Sequence, residues 1–399
     1  MAKKGLTFQN LNLDGLVKSQ VAIFFVCNRL ILIHANSIFC EFCAFLRLHQ
    51  SWKLVKAKSA MKICTTCVLP ETFPGIEFDK SGVCNYCRKS FVRKTTAAEL
   101  KVKYRNKFLA LIAEIRERDC YSERPYDVIV AYSGGKDSSF TLKVLTLEFQ
   151  LKVLAMTFNN AFLAPRAMEN IKNVCRSLDI DHLMVSPNQG MLTRTFRNSI
   201  YADCYPPKAL QRASAICNVC MDLIKSLVLK TAIEMAIPLI SYGWSPGQIP
   251  IQSSVLRLNP AMLKQAQGAM KRCMQKIMGN DSVPFVLRER HFDLFSGDTY
   301  NICPLAFLDY DEQKILNEIR VLGWVPPEDT DANSSNCLLN ALAIKAHQER
   351  FGFHPYAFEI AGLVREGHMT REAGLKRLST PSDSKTLHSV AEKLGVLAV

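Results

Sequence analysis

One stretch constrains the fold of this chain more than any other: Tyr126-Asp-Val-Ile-Val-Ala-Tyr-Ser-Gly-Gly-Lys-Asp-Ser-Ser139. Val128 to Ala131 is a short apolar run of β-branched character, the pattern of a buried parallel strand. The turn Ser133-Gly134-Gly135-Lys136-Asp137-Ser138 follows at once, and Phe140, Leu142, Val144, Leu145 and Leu147 then carry helical spacing. Strand, glycine turn and helix together make an anion site. The glycines let the backbone approach a ligand, the amides point inward, and the helix N-terminus favours negative charge. The triphosphate loop G-x-x-x-x-G-K-[ST] does not fit, because Asp137 follows Lys136 where Ser or Thr is required. The residue types still suit phosphate: Ser133, Ser138 and the amides can bond its oxygens, Lys136 can neutralise charge, and Asp137 can hold Mg2+.

At 399 residues the chain can hold two or three domains with cores of their own. Its net charge of +14 divides unevenly: residues 1–60 carry eight Lys/Arg and two Asp/Glu, or +6, leaving +8 for the other 339. A surface of that charge welcomes nucleotides, and RNA as well, without singling out nucleic acid. Fifteen cysteines, several in C-x-x-C pairs and with no cleavable signal peptide before them, favour metal ligation in a reducing cytoplasm over disulfides.

Residues 1–60 lack clear organisation. Val21-Ala-Ile-Phe-Phe-Val-Cys27 and Leu30-Ile-Leu-Ile33 are apolar, but Asn28 and Arg29 break them. The stretch falls short of the roughly 20 residues a membrane helix needs, so no membrane partner is expected. Cys40-Glu-Phe-Cys43 reads as half a metal site without a second half at a suitable distance. Met61 opens the first organised segment, so the expectation is a translation start there, with residues 1–60 an upstream extension. Peptides from before Met61 in mass spectrometry of the natural protein would contradict it.

From Met61 the chain reads Cys64-Thr-Thr-Cys67, sixteen residues, then Cys84-Asn-Tyr-Cys87. That is zinc-ribbon spacing: each pair supplies two thiolates from a tight knuckle, and Gly75 and Gly82 stand where turns are needed. A unit of about 30 residues builds little core, so the metal would hold it together. Four cysteines fill a tetrahedral Zn2+, which makes the role structural.

The spacing predicts a helix over Ala97 to Arg118, a strand over Lys152 to Phe158, a helix over Arg166 to Leu178 and a strand over His182 to Val185. This alternation argues for an α/β fold with a doubly wound parallel sheet, whose ligands sit at the carboxyl ends of the strands. A further strand, Pro238 to Tyr242, ends in Gly243-Trp244-Ser245, which places Gly243 at the nucleotide edge. Residues 253–295 read as a helical insertion in which Met262, Met270, Met274 and Met278 serve packing. The polar run 329–336 reads as a solvated loop, with contact to the acceptor substrate as the alternative. Thr370 before Arg371-Glu-Ala reads as a helix N-cap. The expected division is an extension (1–60), a zinc ribbon (61–95), a helical linker (96–124), a nucleotide domain (125–307) and a helical C-terminal region (308–399).

The loop Ser133 to Ser138 resembles the PP-loop of the ATP pyrophosphatases, the superfamily of GMP synthetase, asparagine synthetase and the tRNA thiolation enzymes. The resemblance implies that the loop grips the pyrophosphate end of ATP and that a substrate oxygen attacks the α-phosphate. It implies ATP and Mg2+ at Ser133, Gly134, Gly135, Lys136, Asp137, Ser138 and Ser139, with Lys136 and Asp137 catalytic. Thr157, Phe158 and Asn159, at the end of the second strand, would meet adenine. Cys217, Cys220 and Cys303 carry three readings: a zinc site with Cys204 as fourth ligand, inert thiols, or a [4Fe-4S] cluster with one open iron. The last is what similarity to the tRNA two-thiolation enzymes implies.

The ribbon's Gly-Val-Cys84-x-x-Cys87, the SGGKDS loop, and the tail Gly323-Trp324 with Arg365-Glu-Gly-x-Met-Thr-Arg-Glu372 resemble the N-acetyl sugar amidotransferase family over residues 61–380. That resemblance implies adenylation of a sugar-nucleotide oxygen for nitrogen transfer in surface-polysaccharide biosynthesis, with ammonia from a separate glutaminase subunit. The alternatives are a tRNA-type sulfur transferase and a nucleotide-binding regulatory module. A homodimer is left open.

Overall fold

The structure is a computed structural model that describes residues 21–26, 29–34, 61–91, 96–118, 123–295, 297–328, 330–331 and 333–396. Two units are distinguished, Met1–Met61 and Lys62–Val399. In the first, β1 (Val21–Val26) pairs antiparallel with β2 (Arg29–His34), Val21 opposite His34. Cys40 and Cys43 lie outside the described residues.

The second unit begins with the ribbon, a loop closed by isolated bridges Ile63–Pro70 and Phe78–Cys84 and followed by α1 (Asn85–Phe91). Gly75 and Gly82 adopt φ of +70° and +80°, the left-handed turns that glycine permits. Helix α2 (Ala97–Arg116) starts at a capping box in which Thr96 and Glu99 satisfy each other's backbone amides.

A six-stranded sheet follows, built from β3 (Val128–Ala131), β4 (Val153–Phe158), β5 (Asp181–Val185), β6 (Leu239–Tyr242), β7 (Val255–Arg257) and β8 (Tyr300–Ile302). Its order is β5-β4-β3-β6-β8-β7, parallel except for the antiparallel edge pair β7–β8. Helices α3 (Lys136–Lys143), α4 (Pro165–Ser177), α5 (Gln189–Ser199), α6 (Ala215–Glu234), α7 (Pro260–Met278) and α8 (Glu289–Leu294) occupy the connections. Alternate side chains of one strand serve opposite faces: Val128 and Val130 pack with Leu142, Leu145 and Ile171, while Ile129 joins Val228, Leu229 and Ala232 of α6. Five helices close the chain: α9 (Glu312–Arg320), α10 (Leu339–Phe351), α11 (Ala357–Arg365), α12 (Arg371–Ser379) and α13 (Ser384–Leu394). The cap on α12 is Thr370, whose hydroxyl accepts from the Ala373 amide at 3.2 Å.

The sequence reading took 253–295 as a helical insertion, which α7 and α8 supply. The segment also supplies β7, because the short run Val255–Arg257 finds a partner in β8, with Val255 opposite Ile302. Met274 and Met278 are buried as expected of packing residues, whereas Met262 is exposed. Among the described residues, no helix is long and apolar enough to cross a membrane.

The sheet reverses strand order at β3, whose neighbours are β4 and β6. The crevice at that point is where ligands bind such sheets. Two glycines set it. Gly134 has φ +75°, and a Cβ there would stand 2.6 Å from the Ala167 carbonyl oxygen and 2.8 Å from Ile171 Cγ1. At Gly243 a Cβ would stand 2.5 Å from Ser138 Cα, so the tail of β6 lies directly on the loop after β3. Gly134→Ala should therefore cost about 2 kcal/mol or more, left-handed strain adding to overpacking. Gly367→Ala, where φ is +78° with nothing within 4 Å, should cost only the strain. Urea unfolding of both variants checks this, and equal losses would contradict it.

Candidate active site

The loop after β3 is satisfied by hydroxyls. The Ser133 amide donates to Ser138 Oγ at 3.4 Å, the Gly135 amide to Ser133 Oγ at 3.3 Å and the Lys136 amide to Ser335 Oγ at 3.2 Å. Three backbone N–H groups thus converge on oxygens at a helix N-terminus, the arrangement that binds phosphate oxygens. Ser133 and Ser138 Oγ lie 3.1 Å apart. Ser139 plays a different part: its hydroxyl donates to the Gly135 carbonyl at 2.9 Å and lies 3.1 Å from the Tyr132 hydroxyl, fully buried. Trp324 Nε1 holds the Gly134 carbonyl at 2.9 Å.

Lys136 and Asp137 do not face the cavity. The lysine ammonium is buried against Asp137 Oδ1 at 2.8 Å, the Tyr310 hydroxyl at 2.9 Å and Glu312 Oε1 at 3.4 Å. Tyr310 donates to the same Asp137 oxygen at 3.0 Å. Burial opposes the lysine's charge, but Asp137, Tyr310 and Glu312 outweigh it and hold the ammonium above the usual lysine range.

A cavity of about 250 Å3 opens beside the loop. Ser133, Ser138, Phe158 and Gly243 line it, as do Cys217, Cys220 and Cys337. The two α6 cysteines lie one turn apart on one face, with the Cys217 amide capped by Ser214 Oγ at 3.1 Å. Cys337 comes from the strand-like stretch after the polar run, bridged to Leu163. Asn160 Nδ2 spans the group, 3.3 Å from Cys337 Sγ and 3.8 Å from Cys220 Sγ. Burial pushes all three thiols up, Cys217 to about 11. Such thiols are neutral unless a metal ionises them.

Cys303 is not among them. It lies buried after β8, with its amide donating to the Ser254 carbonyl at 2.9 Å, and Cys337 holds the third place in the cavity. Cys204, offered as a fourth ligand, is instead paired with Cys273, whose thiol donates to the Cys204 carbonyl at 2.9 Å. Nor is the second strand's end as expected. Thr157 is fully buried, its hydroxyl donating to the Tyr132 carbonyl at 2.8 Å, and Asn159 is tied to Ser186 at 3.3 Å. Phe158 does line the cavity, and Asn160 joins it where Asn159 was expected. The polar run is no free loop: Ser335 meets the Lys136 amide, and Ser334 and Asn336 line the cavity.

A second cavity of about 360 Å3 shares Cys217, Met221, Lys225, Trp244 and Tyr356 with the first and extends to Arg212, Phe358 and Glu359. Burial pushes Glu359 up to about 7, while the Ser245 hydroxyl, donating to it at 2.8 Å, pulls the other way. A carboxyl raised on folding stabilises the fold below its unfolded value and loses that contribution as pH rises through about 7. Glu359→Gln should flatten this loss in melting curves recorded between pH 5 and 8, and an unchanged slope would contradict it.

The ribbon fits a metal. Among the described residues its four thiols form the set of three or more ligand atoms lying within 4.8 Å of one another. Cys64 and Cys87 Sγ are 3.9 Å apart and Cys67 and Cys84 Sγ 3.7 Å. Tetrahedral Zn–S bonds of about 2.3 Å place sulfurs about 3.8 Å apart. The Cys67 and Cys84 amides donate to Cys64 Sγ at 3.4 and 3.2 Å. The knuckle also clamps the C-terminal region: Arg371 donates to the Cys64 carbonyl at 2.9 Å and the Cys67 carbonyl at 3.1 Å. Phe73 stacks on Phe358 of the second cavity at 5.9 Å. Cys84→Ser should therefore remove one bound metal ion per chain and speed amide exchange in α11 and α12; loss of the metal with unchanged exchange there would contradict the clamp.

No family model matches the chain. It is 25% identical over 271 residues to an uncharacterized protein of Methanocaldococcus jannaschii, a match spanning 68% of this chain and 79% of that protein. Among solved structures it is similar to the U34-tRNA thiolase NcsA from Methanococcus maripaludis with its [4Fe-4S] cluster, at 15% identity and TM-score 0.33, covering 85% of this chain and 90% of that one. It is also similar to NMN synthetase from Francisella tularensis, at 12% identity and TM-score 0.32, covering 77% and 98%. NAD+ synthetase from Burkholderia pseudomallei follows at 14% identity and TM-score 0.29, covering 80% and 96%.

Proposed function

We propose that this chain is an ATP-dependent adenylating enzyme of the PP-loop type. The observation that carries the reading is the set of three loop amides, at Ser133, Gly135 and Lys136, each aimed at a hydroxyl oxygen, two of which, on Ser133 and Ser138, belong to residues lining the cavity. ATP with its Mg2+ would lay its phosphates on those amides, pyrophosphate oxygens replacing the hydroxyls. An acceptor oxygen then attacks the α-phosphorus as the bond to pyrophosphate breaks. The paired cavities suit a small acceptor, since an RNA acceptor would have to present one extruded nucleotide.

The finer reading is nitrogen transfer, most like an N-acetyl sugar amidotransferase of surface-polysaccharide biosynthesis. Ammonia, delivered by a separate glutaminase subunit, attacks the carbon bearing the adenylate, the C–O bond breaks, and AMP leaves. This reading rests on the likeness of the ribbon, loop and tail motifs over residues 61–380.

A specific observation favours a second reading, sulfur transfer. Cys217, Cys220 and Cys337 line the same cavity as the loop serines Ser133 and Ser138. Three thiols without a fourth suit a [4Fe-4S] cluster held by these residues, which when bound would supply an open iron for sulfur. Asn160 would orient Cys220 and Cys337.

Pyrophosphate release tests the shared claim. Ser138→Ala should lower it about a hundredfold, the loss of one positioned donor, without changing the melting temperature by more than a few degrees. Undiminished release would contradict the loop's role. Ammonium consumed with a nucleotide-linked N-acetyl sugar would decide for nitrogen transfer, and sulfur incorporated into tRNA for the second reading.

A further inference from the structure

The loop lysine is spent. Lys136 neutralises Asp137 and Glu312 and does not reach the cavity, so a phosphoryl group held there needs another cation. One lysine lines both cavities at their junction, Lys225, on α6 two turns beyond Cys217. Its ammonium lies over the Trp244 ring, 5.1 Å from the centroid. Trp244 is fixed by stacking on Tyr242 at 4.6 Å, and Tyr242 ends β6 at the crevice. Among the described residues, Lys225 has neither a carboxylate at ion-pair distance nor a hydrogen-bond partner. Asp222, one turn before it, is occupied by the Tyr205 hydroxyl at 3.1 Å. At the far end of the second cavity Arg212 is engaged too, donating to the Gln248 carbonyl at 2.7 Å with its guanidinium over Phe358.

The half-buried ammonium has three donors that no protein acceptor takes, with Asp222 and Cys303 acting on it only through space, and an anion at the cavity junction could accept from it. Resting on the adenylation reading, we infer that Lys225 is the anion-binding residue of the reacting centre and takes the nucleotide's α-phosphoryl oxygens, while the loop amides take the pyrophosphate. The division follows from position. The amides belong to the loop at the cavity's edge, whereas Lys225 stands where the two cavities meet and acceptor and nucleotide would join. As the α-phosphorus passes through five-coordination its equatorial oxygens gain charge, which a cation placed there stabilises.

The test titrates AMP and inorganic pyrophosphate separately into the full chain by calorimetry, for the unaltered protein, Lys225→Met and Lys225→Arg. Methionine keeps the apolar stem and removes only the charge, so the fold should survive, which the melting temperature checks. The expected result is a loss of about tenfold in AMP affinity for Lys225→Met, restored within about threefold by Lys225→Arg, with pyrophosphate affinity within about twofold throughout. AMP binding unaffected by Lys225→Met overturns the inference and leaves the adenylation reading standing. Equal losses for AMP and pyrophosphate also overturn it, since the two anions would then not be divided. If the unaltered chain binds neither AMP, pyrophosphate nor ATP, the adenylation reading itself fails and takes this one with it.

Discussion

The site depends on one hydrogen bond that joins distant parts of the chain. The amide of Lys136 donates to the hydroxyl of Ser335, 199 residues further on. An amide in the first turn of a helix has no partner within the helix. Here the C-terminal segment supplies one, and two residues later the same segment delivers Cys337 to the thiols of α6. The segment is pinned at both ends of this short run, because the Ala164 amide donates to the Asn336 carbonyl at 3.0 Å and the Leu338 amide to the Phe162 carbonyl at 2.9 Å. The loop amides and the cavity's cysteines are therefore held by one segment.

Charge is distributed to match. The conspicuous lysine of the loop is locked into a buried network with Asp137, Tyr310 and Glu312, and Glu312 is further tied to Arg377 at 3.3 Å. Buried ions so paired fix geometry more than they add stability. The network anchors the start of α3 to α9 and α12, and the ribbon anchors the start of α12 through Arg371. The ribbon's contacts are with its own chain: Thr72 Oγ1 donates to the Gly352 carbonyl at 2.7 Å, and Phe73 packs on Phe353 and Phe358. Its observed work is to position the wall of the second cavity.

Much of this was legible in the residues. The apolar run before Ser133 could only be a buried strand, and the period change after it could only start a helix. Two C-x-x-C pairs sixteen residues apart announced four convergent thiols. What failed were inferences about direction. Lys136 and Asp137 have the right chemistry for phosphate, but adjacent helical residues project to different sides, and these two meet Tyr310 and Glu312 rather than the cavity. The pattern of residues 150–160 gave a strand but not which end residues face inward, so Asn160 was missed for Asn159. Cys303 was named as the distant third cysteine through the resemblance to the tRNA two-thiolation enzymes, whereas Cys337 comes to the cavity beside a non-local bridge to Leu163. The polar run before it signalled this weakly: Ser334, Ser335 and Asn336 are residues that satisfy amides and thiols, which a solvated loop does not require.

The most direct test of this account is the metal content of protein purified without oxygen, compared among the unaltered chain, Cys337→Ser and Cys303→Ser. The account predicts metal beyond one ion for the ribbon's four thiols in the unaltered chain, its loss in Cys337→Ser and its retention in Cys303→Ser. Loss in Cys303→Ser with retention in Cys337→Ser, or no metal beyond the ribbon's in the unaltered chain, would contradict a three-thiol centre built beside the phosphate loop.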